Sequence, residues 1–170
     1  MGQRSGDQTP PRVSSARDAR DPRPGECVCH VADAVARRAL AARLVSQGLT
    51  TGRACVYVLA DAHASEALRD LSRTHDVREA TGSGALSLYG AADLRSWILS
   101  AAADGSSIPF LSWVPGTCVV VDAAGAVAGP ELNEAYPGFL GSLSRWARDV
   151  SAIVVVQHDR LQVGISDVHM

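Results

Sequence analysis

Five consecutive apolar residues, Ala152 to Val156, four of them β-branched, constrain this chain more than any other stretch. A run so short and so apolar reads as a strand covered on both faces, the pattern of an internal strand in a mostly parallel sheet. Gln157, His158, Asp159 and Arg160 follow it directly. In open α/β sheets ligands settle in the crevice beyond the carboxyl ends of the strands, so these four side chains mark the expected site. On pattern alone, tying down the chain reversal after the strand accounts for Asp159 and Arg160 equally well.

A chain of 170 residues makes one domain with a real core rather than two. Residues 1–24 are rich in Pro, Ser, Gly, Arg and Asp and carry too few apolar side chains to offset their chain entropy, so they read as a disordered leader. Residues 25–170 form the domain. Glu26 to Val31 reads as a first strand, and from Asp33, a plausible helix cap, the period becomes helical. Val35, Ala39, Ala42, Leu44 and Val45 form the apolar stripe there, Arg37, Arg38 and Arg43 take the other side, and Gly48 is the stop. Gly52 to Ala60 is the next strand and Ala62 to Arg73, capped by Asp61, the next helix. This βαβα order predicts an α/β fold of three layers, a mostly parallel sheet flanked by helices.

Farther along, Asp76 to Ala80 and Ala85 to Tyr89 read as short strands around the turn Thr81-Gly-Ser-Gly84, and Asp93 to Ala103 as an amphipathic helix. Ile108 to Pro115 is apolar but bracketed by prolines, which suits a packed loop, a lid or an edge strand. Thr117 to Ala123 is the second strongly buried strand, with Asp122 at its carboxyl end. A helix spans about Glu131 to Arg148, bent or shortened by Pro137 and Gly138.

Composition removes several chemistries. All sixteen basic residues are Arg, so a P-loop lysine, a Schiff-base lysine and a Ser-Lys dyad are impossible. A net charge of −2 gives no electrostatic basis for binding nucleic acid or an anionic membrane, and no run is apolar enough over about 18 residues to span a bilayer. Cys27, Cys29, Cys55 and Cys118 sit in or beside apolar runs without a secretory signal before them, which points to free thiols in a reducing cytoplasm.

Four constellations compete for function. Cys27, Cys29 and His30, joined by His158 and Asp159, have the ligand chemistry of a zinc or haem site but not its usual spacing, so no metal is expected. A cysteine nucleophile with His158 and Asp159 is disfavoured because neighbours on an extended segment point to opposite sides. A phosphate loop after the first strand lacks its glycines and lysine, which leaves Asp122 to cap or bond a turn. The fourth is a ligand crevice without catalysis or cofactor, formed by Cys29, His30, Tyr57, Asp122, Gln157, His158, Asp159 and Arg160 and roofed by Phe110 and Trp113.

The runs GECVCHVAD (25–33), QGLTTGRACVYVLAD (47–61) and VVVQHDR (154–160) together resemble the MEDS domain, a sensory domain of methanogen and methylotroph proteins and of the regulator DcmR. The three motifs match in order over residues 25–160, at Cys29, His30, Gly48, Gly52, Cys55, Tyr57, Gln157, Asp159 and Arg160. Three positions depart from that pattern: Cys27 stands where the family has histidine, Val121 and Asp122 replace a Glu-Met pair, and Tyr136-Pro137 replaces Tyr-Glu. The resemblance implies a RecA-like core without a P-loop, and sensing of a small molecule such as a hydrocarbon derivative within bacterial signalling and transcriptional proteins. A non-catalytic regulatory module is therefore expected, with output through a signalling partner or a homodimer. The alternatives are a protein-interaction regulator with a vestigial pocket, or a thiol- or metal-dependent enzyme.

Overall fold

The computed structural model of the chain describes residues 12–15, 21–104 and 114–160. Its valine-rich runs form parallel strands because each is apolar on both sides and needs a helical layer over each face. In chain order the elements are β1 (Arg12–Ser15), β2 (Cys27–Ala32), α1 (Ala34–Thr50), β3 (Cys55–Val58), α2 (Ala64–Ser72), α3 (Val77–Gly82), β4 (Leu86–Tyr89), α4 (Ala91–Asp104), β5 (Cys118–Asp122), α5 (Pro130–Asp149) and β6 (Ile153–Asp159). A 3₁₀ turn, Asp61–His63, precedes α2. The sheet order is β1-β2-β6-β5-β3-β4 and every pairing is parallel. The expected parallel three-layer α/β architecture is what the chain adopts, and the run 152–156 lies in an internal strand, β6, between β2 and β5.

Two cores flank the sheet. On one face, Val56, Val58, Val119, Val121, Val154 and Val156 pack against Leu94, Trp97 and Ile98 of α4 and Phe139, Leu143 and Trp146 of α5. On the other, Tyr57, Val120 and Val155 pack against Ala41, Leu44 and Val45 of α1 and Ala67 and Leu71 of α2. Each strand alternates between these faces, so a residue's parity decides which core it joins.

Several expectations are corrected. The leader is not without structure, since Arg12–Ser15 pairs with Val28 to Val31 as an edge strand; residues 1–11 and 16–20 lie outside the described residues. Asp76 to Ala80 begins a helix rather than a strand, because the Asp76 carboxylate accepts from Glu79 N at 3.0 Å and caps α3. Asp61 does not cap α2: its carboxylate accepts instead from Ala91 N at the start of α4. α1 runs through Gly48 to Thr50, and α5 continues unbroken past Pro137. The apolar segment at 108–115, with Phe110 and Trp113, lies outside the described residues except for Val114 and Pro115.

Candidate functional site

Three strands end side by side in polar residues on the face that α1 covers. Asp122 of β5 is in register with Gln157 of β6, and Gln157 with His30 of β2. Two positions farther on, and on the same face, Ala32 is in register with Asp159. Tyr57 lies below this row, in register with Val120. All of Asp122, Gln157, His30 and Tyr57 are buried.

Arg37, in the first turns of α1, closes the row from above and is only 1% exposed. Its Nη1 donates to Ala32 O at 2.7 Å, and its Nε lies 3.2 Å from Asp122 Oδ1. Asp159 Oδ2 stands 3.6 Å from Nη1, and the Arg37 carbonyl accepts from Gln157 Nε2 at 2.9 Å. One side chain and its own peptide group therefore tie the carboxyl ends of β2, β5 and β6 together. Burial pushes the Asp122 carboxyl up from its ordinary value, against the pull of the Arg37 guanidinium and of Ala124 N, which donates to Oδ1 at 3.1 Å. Asp122 thus bonds a turn, as expected, and also neutralises a buried cation that the sequence reading assigned to the solvent side.

Two polar atoms in this row have no hydrogen-bond partner among the described residues: His30 Nδ1 and Gln157 Oε1. Their side chains are 4% and 0% exposed. Buried polar groups nearly always find a partner, so an adjacent acceptor or donor pair with spare capacity is chemically distinctive.

The eight expected site residues do not share one crevice. Tyr57, Asp122, Gln157, His30 and Asp159 gather around Arg37, whereas Cys29 and His158 are on the opposite face, against α5. Odd and even positions of β2 and β6 point to opposite sides, which separates Cys29 from His30 and His158 from Gln157 and Asp159. His158 Nε2 and the Tyr136 hydroxyl are 2.6 Å apart. Burial pushes the Tyr136 hydroxyl up, and pushes the Cys27 and Cys29 thiols up to about 12 and about 11. These thiols stay protonated at neutral pH. Arg160 is exposed beyond the end of β6.

His30 and His158 both titrate below their ordinary value of 6.5, chiefly because burial disfavours the imidazolium and secondarily because Arg37 is near. A histidine that binds its proton less readily folded than unfolded contributes stability above the unfolded value and loses it as the pH falls. Unfolding free energy is expected to drop below pH 6.5, by up to about 1.4 kcal/mol per pH unit for each histidine. Urea titrations across that range read the slope, and His158→Phe should reduce it; an unchanged slope contradicts the assignment.

A cavity of about 390 Å³ opens at the other end of the sheet, where Leu44, Gln47 and Gly48 of α1 and Thr51 just past it meet Arg53, Cys118 and Ile153, with Asp21 and Pro22 at its edge. No group of three or more metal-ligating side chains occurs among the described residues, and none of their helices is long and apolar enough to cross a membrane. No family model matches the chain, and no curated protein matches it.

Proposed function

We propose that the chain is a non-catalytic regulatory module that recognises a small molecule at the carboxyl ends of β2, β5 and β6 and signals through a partner protein. The observation that carries this reading is the pair His30 Nδ1 and Gln157 Oε1, buried side by side with unused hydrogen-bonding capacity next to a charge-balanced Arg37. A ligand with one hydroxyl or amide group and an apolar remainder suits it, because the polar row is bordered by the aliphatic side chains of the α1 face. Both carboxylates of the row are committed to Arg37 and His158 to Tyr136, which leaves His30 without a carboxylate to orient it for acid–base work. The motif likeness to a sensory domain supports the same reading.

A thermal-shift screen of small oxygenated metabolites against the full chain tests it. A compound that raises the midpoint should lose about tenfold or more in affinity with Gln157→Leu or His30→Leu, the effect of deleting one buried hydrogen bond. Arg160→Ala should bind as the wild type does. Affinity retained in both strand-end variants, or turnover of the compound, overturns the reading.

A further inference from the structure

Cys55 and Cys118 are register partners on the adjacent strands β3 and β5, and both side chains belong to the core beneath α1. Neighbouring strands are about 4.8 Å apart, inside the Cα separation of about 4.4–6.8 Å that a disulfide spans. Both sulfurs crowd under a single glycine of α1. A Cβ built on Gly48 would stand 2.6 Å from Cys55 Sγ and 3.8 Å from Cys118 Sγ, so any other residue would fill the place that the thiols occupy. All four cysteines are free thiols.

The two thiols are unequal. Cys118 lines the 390 Å³ cavity together with Arg53, whose Nη1 donates to Gly116 O at 2.8 Å and is thereby held at the cavity wall. The Cys55 thiol donates to the carbonyls of Val45 at 3.7 Å and Arg53 at 3.6 Å, and the Cys118 thiol to that of Leu44 at 3.9 Å. The neighbouring Cys55 thiol, with help from the Arg53 cation, draws Cys118 below its ordinary value against burial, and Cys55 is pushed up. Thiolate character and access together set the reactivity of a cysteine. Cys27 and Cys29 lack thiolate character, since burial pushes both thiols up, and two residues on one strand are set along the chain rather than across a strand pair.

We propose that Cys118 and Cys55 form a dithiol that hydrogen peroxide, or another small hydroperoxide entering the cavity beside Arg53, oxidises to a disulfide. The Cys118 thiolate attacks the terminal peroxide oxygen, so an S–O bond forms as the O–O bond breaks, and the departing hydroxide, or alkoxide from an organic hydroperoxide, takes up the proton that Cys118 gave up and leaves as water or the alcohol. Cys55 then attacks the Cys118 sulfur, the S–S bond forms, the S–O bond breaks, and the released hydroxide carries off the Cys55 proton as a second water. Two electrons pass from the thiol pair to the peroxide. Residues of this site are at the amino end of the sheet, so its failure or success is read separately from that of the strand-end site.

The full-length folded chain is treated with hydrogen peroxide, blocked with an alkylating reagent, and mapped by mass spectrometry without reduction. The expected product has lost two hydrogens, contains a Cys55–Cys118 crosslink, and leaves Cys27 and Cys29 open to alkylation after denaturation. Cys55→Ser should stop at a Cys118 sulfenic acid that dimedone captures. Arg53→Gln should slow Cys118 oxidation severalfold, because the cation that favours the thiolate at the cavity wall is gone, and Arg53→Lys should restore most of the rate. Circular dichroism confirms that each variant is folded. A Cys27–Cys29 crosslink, oxidation of all four thiols only at the rate of global unfolding, or an Arg53→Gln rate equal to wild type overturns the proposal.

Discussion

Arg37→Met is expected to lower the unfolding free energy by about 3–5 kcal/mol, the cost of removing one partner of a buried ion pair. Asp122 would remain 3% exposed with no cation beside it, and Ala32 O would lose a 2.7 Å hydrogen bond. The Gln157 bond to the Arg37 carbonyl survives, because it involves the peptide and not the side chain. Without the guanidinium the Asp122 carboxyl climbs further above its ordinary 3.8. An acid that holds its proton more readily folded than unfolded penalises the fold at high pH, and the penalty lifts as the pH falls toward the unfolded value. The variant should therefore be less destabilised at pH 5 than at pH 8, in urea titrations followed by circular dichroism. Pairing it with Asp122→Leu should recover most of the loss, since apolar replacements of a buried pair are often near neutral. A loss under about 1 kcal/mol would mean that solvent, not Arg37, balances Asp122.

Gly48→Val should cost about 3 kcal/mol, at the upper end of overpacking effects. The Cβ alone would meet Cys55 Sγ at 2.6 Å and Cys118 Cβ at 3.3 Å; Cys118 Cβ is fixed by its strand, and Cys55 Sγ could move only by turning into the packed core around it. Helix propensity acts in the opposite direction, since Gly is the less favourable residue in a helix interior, so a net loss isolates the steric effect. Cys55→Ala in the same chain opens room for the new side chain and should return at least half of the loss. A double-mutant cycle reads that coupling directly. Simple additivity would place the strain somewhere other than the thiol.

The strands were legible because their composition has a single explanation: aliphatic β-branched runs such as Val119 to Val121 and Val154 to Val156 suit only doubly covered strands. Caps were partly legible. Asp33 accepts from Ala36 N at 2.9 Å, as its place before a helical period suggests, whereas Asp76 accepts from Glu79 N in the same way before residues whose pattern suggests a strand. The phase of α1 is not legible from its apolar residues, and the place of its buried cation depends on that phase. Its buried stripe is Arg37, Ala41, Leu44, Val45 and Gly48, a helical i, i+4, i+7, i+8, i+11 series, while Val35 is exposed. Alanines all round that helix give apolar periodicity little contrast, so the sign of Arg37 decided the choice wrongly. The signal that would have corrected it is the presence of Asp122 and Asp159 at two strand ends, which need a cation nearby. The residue types of the site were legible from strand ends. Their division between two faces follows from register, which a single strand does not reveal.

The account turns on His30 and Gln157 receiving the ligand, and nuclear magnetic resonance of the His30 ring nitrogens and the Gln157 side-chain amide, during titration with a compound that stabilises the fold, tests this most directly. Both groups should move along one saturation curve while His158, on the far face and held by Tyr136, keeps its shift. Silence at His30 and Gln157 while resonances elsewhere saturate would contradict it.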